Sequence, residues 1–200
     1  MMAHFSYRLT PEKPMSDTER QLLKLIQERA FRLGTFRLAS GDTSNYYIDG
    51  KMVEVFSESA HLIGEVLYEQ TQALSLDAIG GLEVGAVPLT TAAVISYHLH
   101  GRRMEGFWVR DEVKGHGTKK LIEGNLKPGS RVVIVDDVFT KGASALKAVK
   151  AVNELGCEVG LVLAVVDRLQ GARALFEKEG IVNYQALFTI RDFGVGPGAG

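Results

Sequence analysis

The chain is expected to fold as an α/β domain, with a mainly parallel sheet covered by helices on both faces. Three observations lead there. From residue 78 onward, short apolar runs alternate with helix-like segments, the signature of strand–helix–strand units. The clearest run, Val132-Val-Ile-Val135, reads as a short buried strand. Asp136 and Asp137 sit at its carboxyl end, followed by a small-residue turn, Thr140-Lys-Gly-Ala-Ser144. A buried strand gains nothing from adjacent like charges, and ligands of parallel sheets bind beyond the carboxyl ends of the strands.

Taken in order, Ser16-Asp-Thr-Glu19 is a capping box. Leu22, Leu23, Leu25, Ile26, Ala30 and Leu33 then recur at helical spacing, with Gly34 as the stop. Residues 35–38 and 46–48 read as short strands around the turn Ser40-Gly-Asp-Thr-Ser44. Ser57 is placed to cap a second helix carrying Leu62, Ile63, Val66 and Leu67. A strand over 78–81 enters a loop, and a helix over 88–100 has proline near its start. Residues 107–110 form a strand, 111–125 are polar and punctuated by glycine, and Pro128-Gly129 turns the chain into the strand at Arg131. A helix over 143–155, a strand over 159–166, a helix over 172–179 and a strand over 184–189 complete the alternation. No internal repeat is present.

Two hundred residues, 46% hydrophobic and 24% charged, suit one soluble domain. The formal net charge of −1 gives no global pull toward nucleic acid or an anionic membrane. Any anion site must therefore be local. The single cysteine, Cys157, excludes an internal disulfide and suits a reducing cytoplasm; between apolar neighbours it reads as a packed thiol. Residues 1–15 lack an apolar core of signal-peptide length, and no run approaches the roughly 18 apolar residues of a membrane span. Residues 194–200, rich in glycine, are expected to be flexible. His4, His61, His98 and His100 show no metal-ligand grouping. Gly124-Asn-Leu-Lys-Pro-Gly-Ser130 has phosphate-loop glycine spacing, but lacks the lysine and precedes a strand.

The acidic pair and its turn carry the chemistry. Two carboxylates can accept the hydroxyls of a ribose, or act through a hydrated Mg²⁺. Thr140, Gly142 and Ser144 leave backbone N–H groups open to phosphate, with hydroxyls beside them. Gly142 permits positive φ where the turn tightens. Lys141 points either outward or toward substrate. A plain surface turn would explain the aspartates, but not their junction with an amide-rich loop.

This segment, Val132 through Ser144, resembles the phosphoribosyl-pyrophosphate (PRPP) motif of type I phosphoribosyltransferases. The resemblance implies that Asp136 and Asp137 hold ribose hydroxyls. It places Thr140, Lys141, Gly142, Ala143 and Ser144 around the 5-phosphate, with Val138 and Phe139 also among the PRPP-binding residues. Arg110-Asp-Glu-Val-Lys-Gly-His-Gly117, ending in Ile122-Glu-Gly124, is similar to the catalytic lid of the orotate phosphoribosyltransferase family. Its glycines give mobility, and its cations can close over an anionic substrate. Arg110, Lys114 and His116 match as catalytic and PRPP-contacting residues. Asp111 stands where the family usually has a second lysine, which removes one cationic contact to pyrophosphate.

Gly41-Asp-Thr-Ser-Asn-Tyr-Tyr-Ile-Asp49 is similar to that family's N-terminal hood, which implies that Tyr46 and Tyr47 pack near orotate. Ala39 replaces a lysine carried by some members. Gly81-Leu-Glu-Val-Gly-Ala-Val-Pro88 resembles the pyrophosphate loop, with backbone donors from Glu83, Val84, Gly85 and Ala86; Val84-Gly85 replaces a Tyr-Lys pair of some members. Val166-Asp-Arg168 ends a strand, and the resemblance implies that Arg168 grips the orotate carboxylate, with Thr140 nearby.

The implied architecture is a Rossmann-like type I phosphoribosyltransferase fold in one domain. An N-terminal helix and hood span about 16–50, the PRPP-binding core about 51–192, and a flexible tail 193–200. The implied reaction converts orotate and PRPP to orotidine 5′-monophosphate and pyrophosphate in pyrimidine biosynthesis. Mg²⁺ is held through PRPP and water rather than directly by protein. A homodimer donates each lid to the neighbouring site. Two other readings are a phosphoribosyltransferase for a different base and a PRPP-binding regulator without catalysis. The near-neutral charge and the absence of a helix-turn-helix segment speak against the second.

Overall fold

A computed structural model of the chain describes residues 14–37, 43–112 and 120–196. Helix α1 (Asp17–Arg29) starts on the expected capping box: the Glu19 amide donates to Ser16 Oγ at 3.1 Å, and the Ser16 amide donates to the Glu19 carboxylate at 2.7 Å. The helix ends at Ala30, not at Gly34. Leu33 and Gly34 lie in strand β1 (Phe31–Arg37), and Leu33 is 72% exposed. The helical period runs past the true end because Phe31 turns inward, its ring 5.2 Å from that of Phe193 and 6.2 Å from that of Tyr46. β1 pairs antiparallel with β2 (Thr43–Ile48), with a register shift between Leu33 and Phe36. Leu38 to Asp42 of the expected hood lie outside the described residues.

A one-turn helix, α2 (Lys51–Glu54), follows; no periodicity announces it. Ser57 is the first residue of α3 (Ser57–Thr71) rather than its cap, and Phe56 holds the cap position without a side-chain bond. Ser59 Oγ instead donates to Val53 O at 2.6 Å, tying α2 to α3.

The main sheet contains β3 (Ala78–Leu82), β4 (Glu105–Val109), β5 (Ile122–Gly124), β6 (Arg131–Phe139), β7 (Glu158–Asp167) and β8 (Tyr184–Thr189). Their order is β5-β4-β3-β6-β7-β8, parallel throughout except for β5, which closes the edge antiparallel to β4. β5 lies in the stretch expected to be irregular: with three residues it is too short for a pattern to show. Helices α4 (Ala86–Leu99), α5 (Ala143–Glu154) and α6 (Ala172–Lys178) complete the covering layers.

Alternate side chains of the central strands face opposite cores. Ile79, Val133, Val135, Leu163 and Val165 pack with α1, α3 and α4. Val132, Ile134, Val162 and Ala164 pack with α5 and α6. The mainly parallel sheet with two helical layers agrees with the expected fold class. Phe193, placed above in a flexible tail, is buried in a short 3-10 turn (Ile190–Phe193) capped by the Thr189–Asp192 box. Exposed Gly194 caps the turn, Val195 packs against the core, and residues 197–200 lie outside the described set.

Candidate functional site

β6 is longer than the apolar run suggested, continuing through Asp136 and Asp137 to Phe139. Its ladder with β3 ends at Ile134, whereas its ladder with β7 reaches Phe139. The two aspartates therefore overhang the end of β3. A cleft of about 250 Å³ opens there, lined by Lys51, Glu54, Glu83, Gly85, both aspartates and Ser144 among others.

Neighbours on a strand point to opposite faces, and the aspartates do so here. Asp136, 5% exposed, turns toward α5 and accepts a short hydrogen bond from Ser144 Oγ. Asp137 turns toward α2 and the loop after β3. Its Oδ1 accepts from the Val138 amide at 2.8 Å. A Cβ placed on Gly85 would lie 2.9 Å from Asp137 Oδ1, and one on Gly50 would lie 2.9 Å from Oδ2. Asp137 is thus wedged between two glycines, and a side chain at either would press on its carboxylate.

Burial, helped by the charge of Asp137 and opposed by the Ser144 bond, pushes the Asp136 carboxyl up to about 7. Glu54, from α2, is 6% exposed, and its Oε1 has no hydrogen-bond partner. Burial first, then the Asp137 charge, pushes its carboxyl up to about 8. Neither Lys51 nor Glu54 was singled out from sequence. Lys51 sits in an unremarkable Asp49-Gly-Lys51 stretch, and Glu54 hides between Val53 and Val55.

The turn between β6 and α5 is a row of backbone donors. Gly142 occupies the cap of α5 in the left-handed region, φ +77°, as anticipated. The amides of Thr140 to Ser144 have no hydrogen-bond partner among the described residues. Lys141 points outward and is exposed. Val138 packs on one core, and Phe139 is buried in the other, edge-on to Phe176 at 5.1 Å. Their side chains belong to the scaffold, and Phe139 O accepts from the Arg168 amide at 2.9 Å.

In the loop after β3 the expectation of free amides holds only in part. The Glu83 amide donates to Val109 O at 2.8 Å, a continuation of the sheet that sequence does not reveal. Val84, 73% exposed, and Gly85 remain available. The Glu83 carboxylate lies 3.9 Å from Arg110, which also forms a closer pair with Glu123 at 2.7 Å. Arg110 therefore pins the base of the Arg110–Gly124 segment to β5. Asp111 pairs with Lys147 of α5 at 2.6 Å, so its charge is partly answered from within the chain. Lys114 and His116 lie outside the described residues.

Arg168, 8% exposed at the end of β7, reaches the hood: Nε donates to Tyr46 Oη at 3.0 Å, Nη2 donates to Ser44 Oγ at 3.3 Å, and the guanidinium lies 4.7 Å from the Tyr46 ring centroid. Tyr46 is 1% exposed, whereas Tyr47 faces solvent on the other side of β2, its ring 5.6 Å from that of Phe36. The structure thus joins Tyr46 to Arg168 and leaves Tyr47 apart from them.

Among the described residues, no group of three or more His, Cys, Asp or Glu side chains is placed to hold a metal. With Asp136 and Asp137 on opposite faces, a hard cation here would need oxygens from phosphate and water as well. The open cleft beside them admits such an arrangement.

No protein-family model matches the chain. An orotate phosphoribosyltransferase of Aquifex aeolicus is 44% identical over 175 residues, covering 86% of this chain and 95% of the relative. A crystal structure of Mycobacterium tuberculosis orotate phosphoribosyltransferase in complex with Fe(III) dicitrate superposes with a TM-score of 0.78 at 36% identity, covering 89% of this chain and 99% of that one. A structure of an orotate phosphoribosyltransferase from the same organism in complex with PRPP gives 0.74 at 35% identity, covering 89% and 99%.

Proposed function

The chain belongs to the orotate phosphoribosyltransferase family, and from that premise we propose that it transfers the 5-phosphoribosyl group of PRPP to orotate. The products are orotidine 5′-monophosphate and pyrophosphate. The observation that carries the reading is the row of open amides from Thr140 to Ser144, beside the overhanging aspartates and the cleft. A relative in the same family has been crystallised with PRPP.

The chemistry follows from the placement of the groups. The amide row and the N-terminus of α5 take the 5-phosphate. Asp136 and Asp137, both on the lining of the cleft at the end of β6, accept the ribose hydroxyls. The Val84–Gly85 amides meet the diphosphate. Arg168, a planar guanidinium already oriented by Tyr46 and Ser44, grips the orotate carboxylate and presents N1 to the ribose C1. Such positioning accounts for several kcal/mol of catalysis. As the C1–O bond breaks, N1 bonds to C1, the C1–O electron pair leaves with pyrophosphate, and the N1 proton passes to the departing pyrophosphate or to water. Lys114 and His116 stabilise or protonate that leaving group, and Arg110 holds their segment at its base.

Mg²⁺, bound through the phosphates of PRPP and water, supplies charge neutralisation for the departing diphosphate. A homodimer in which the Arg110–Gly124 lid closes over the neighbouring site completes the picture. An apolar groove between α3 and α4, where Ile95 is 55% and Leu99 67% exposed, is a suitable contact face for it. A cytoplasmic setting suits the single buried thiol.

The test is spectrophotometric: loss of orotate absorbance with PRPP and Mg²⁺ present. Consumption of orotate, with uracil, adenine and hypoxanthine inert, supports the assignment. Turnover of another base instead would give the first alternative, and PRPP binding without any turnover would give the regulator.

A further inference from the structure

The diphosphate of a sugar-phosphate substrate brings concentrated negative charge into a cleft whose described lining is acidic: Glu54, Glu83, Asp136 and Asp137 all contribute to it. Lys51 is the one basic side chain on that lining. It opens α2 directly after Gly50, whose missing side chain admits Asp137, and it lines the same cleft as Glu83, Val84 and Gly85. Arg110, the nearest guanidinium along that loop, is already engaged by Glu123 and Glu83.

We propose that Lys51 is a binding residue for the diphosphate of the substrate and for the pyrophosphate product, the side-chain cation that works with the Val84–Gly85 amides. This rests on the function proposed above and deepens it. Lys51 Nζ pairs with Asp49 Oδ1 at 2.8 Å, with the lysine side chain 68% exposed. The lysine end of the pair is largely exposed, whereas the Asp49 side chain is 29% exposed; solvent screens the ammonium, and a doubly charged phosphate group competes with the single carboxylate for it. Asp49 also raises the Lys51 ammonium above its usual range, which keeps it charged. Three residues on, buried Glu54 does not cancel that charge, because its carboxyl is held largely neutral at pH 7. Lys51 lies a few residues after Tyr46, the acceptor for Arg168, so the proposed diphosphate cation and the partner of the orotate grip share one short stretch of chain.

The experiment uses the full chain with Mg²⁺ and compares wild type with Lys51→Ala and Lys51→Arg, by calorimetry with pyrophosphate and with PRPP and by steady-state kinetics. Lys51→Ala is expected to weaken pyrophosphate and raise the KM for PRPP about tenfold, as loss of one charge-assisted contact does. The KM for orotate and the melting temperature should stay at wild-type values, and Lys51→Arg should restore most of the loss. Unchanged pyrophosphate affinity in Lys51→Ala overturns the proposal, as does an equal weakening of orotate, which would mark a structural role for α2. A wild-type protein that binds pyrophosphate but leaves orotate untouched would sink the function reading instead, and the calorimetric comparison would still decide Lys51.

Discussion

The two walls of the candidate site are built on different principles. On the α5 side, the Thr140–Ser144 turn works through backbone: unpaired amides, one left-handed glycine, and side chains that point outward or belong to the scaffold. On the hood and α2 side, the work falls to single side chains held by specific partners, Arg168 on Tyr46 and Ser44 and Lys51 on Asp49, with buried Glu54 beside them. A backbone wall recognises what every phosphate shares and resists substitution except where its conformation depends on one residue. A side-chain wall recognises particular groups, the base through Arg168 and the diphosphate through Lys51, and each of these members can be removed separately.

The sharpest break in that contrast comes from Gly142. Its φ of +77° disfavours any side chain, and a Cβ there would lie 2.9 Å from the Phe176 ring. Gly142→Val is expected to cost about 2 kcal/mol or more and to abolish PRPP binding by calorimetry. Lys141→Ala, one residue away, should leave both unchanged within twofold.

Next comes Arg168→Ala, expected to raise the KM for orotate about a hundredfold, as loss of a bidentate charge-assisted grip does, with PRPP affinity little changed. Arg168→Lys should not rescue it, because an ammonium cannot span Tyr46, Ser44 and a carboxylate together. Equal loss of PRPP binding in Arg168→Ala would mean that the two walls are not separable.

Lys114→Ala should lower kcat by about tenfold or more, in the range of a lost transition-state contact, with an unchanged melt. Wild-type turnover in that variant would remove the Arg110–Gly124 segment from the mechanism.

The smallest effect is on stability. Glu54 has its folded-state carboxyl raised to about 8, above the usual carboxylate range. Such a group binds its proton more tightly when folded, so it costs stability as pH rises from about 4 to 8 and costs no more beyond that. Glu54→Gln should therefore raise the melting temperature near pH 8 by roughly 2–4 °C per kcal/mol recovered, and leave it unaltered near pH 4. A gain equal at both pH values would place the benefit in packing rather than in charge.

The backbone wall was largely legible in the sequence. An apolar run, two carboxylates and small residues around Gly142 specify strand, turn and helix in order, and Gly142 has the positive φ that its type suggested. Burial of Phe139 and continuation of β6 past the aspartates were not legible, because the ladder with β7 is a tertiary fact. Asp136 and Asp137 read as a pair although the pleat sends them to opposite faces. The side-chain wall was legible only where a motif marked it, at Arg168 and Tyr46. Lys51 and Glu54 sit on a one-turn helix too short for any period, and the neutral state of Glu54 comes from burial that no local pattern encodes. Leu33 misled for a related reason: it continues the period of α1 numerically while the chain has already turned into β1.

The most direct measurement is a crystal structure of the full chain with PRPP and Mg²⁺. The 5-phosphate is expected on the amides of Thr140 to Ser144, the ribose hydroxyls against Asp136 and Asp137, and the diphosphate facing Val84–Gly85. A 5-phosphate seated anywhere else, with that amide row still holding only solvent, would contradict it.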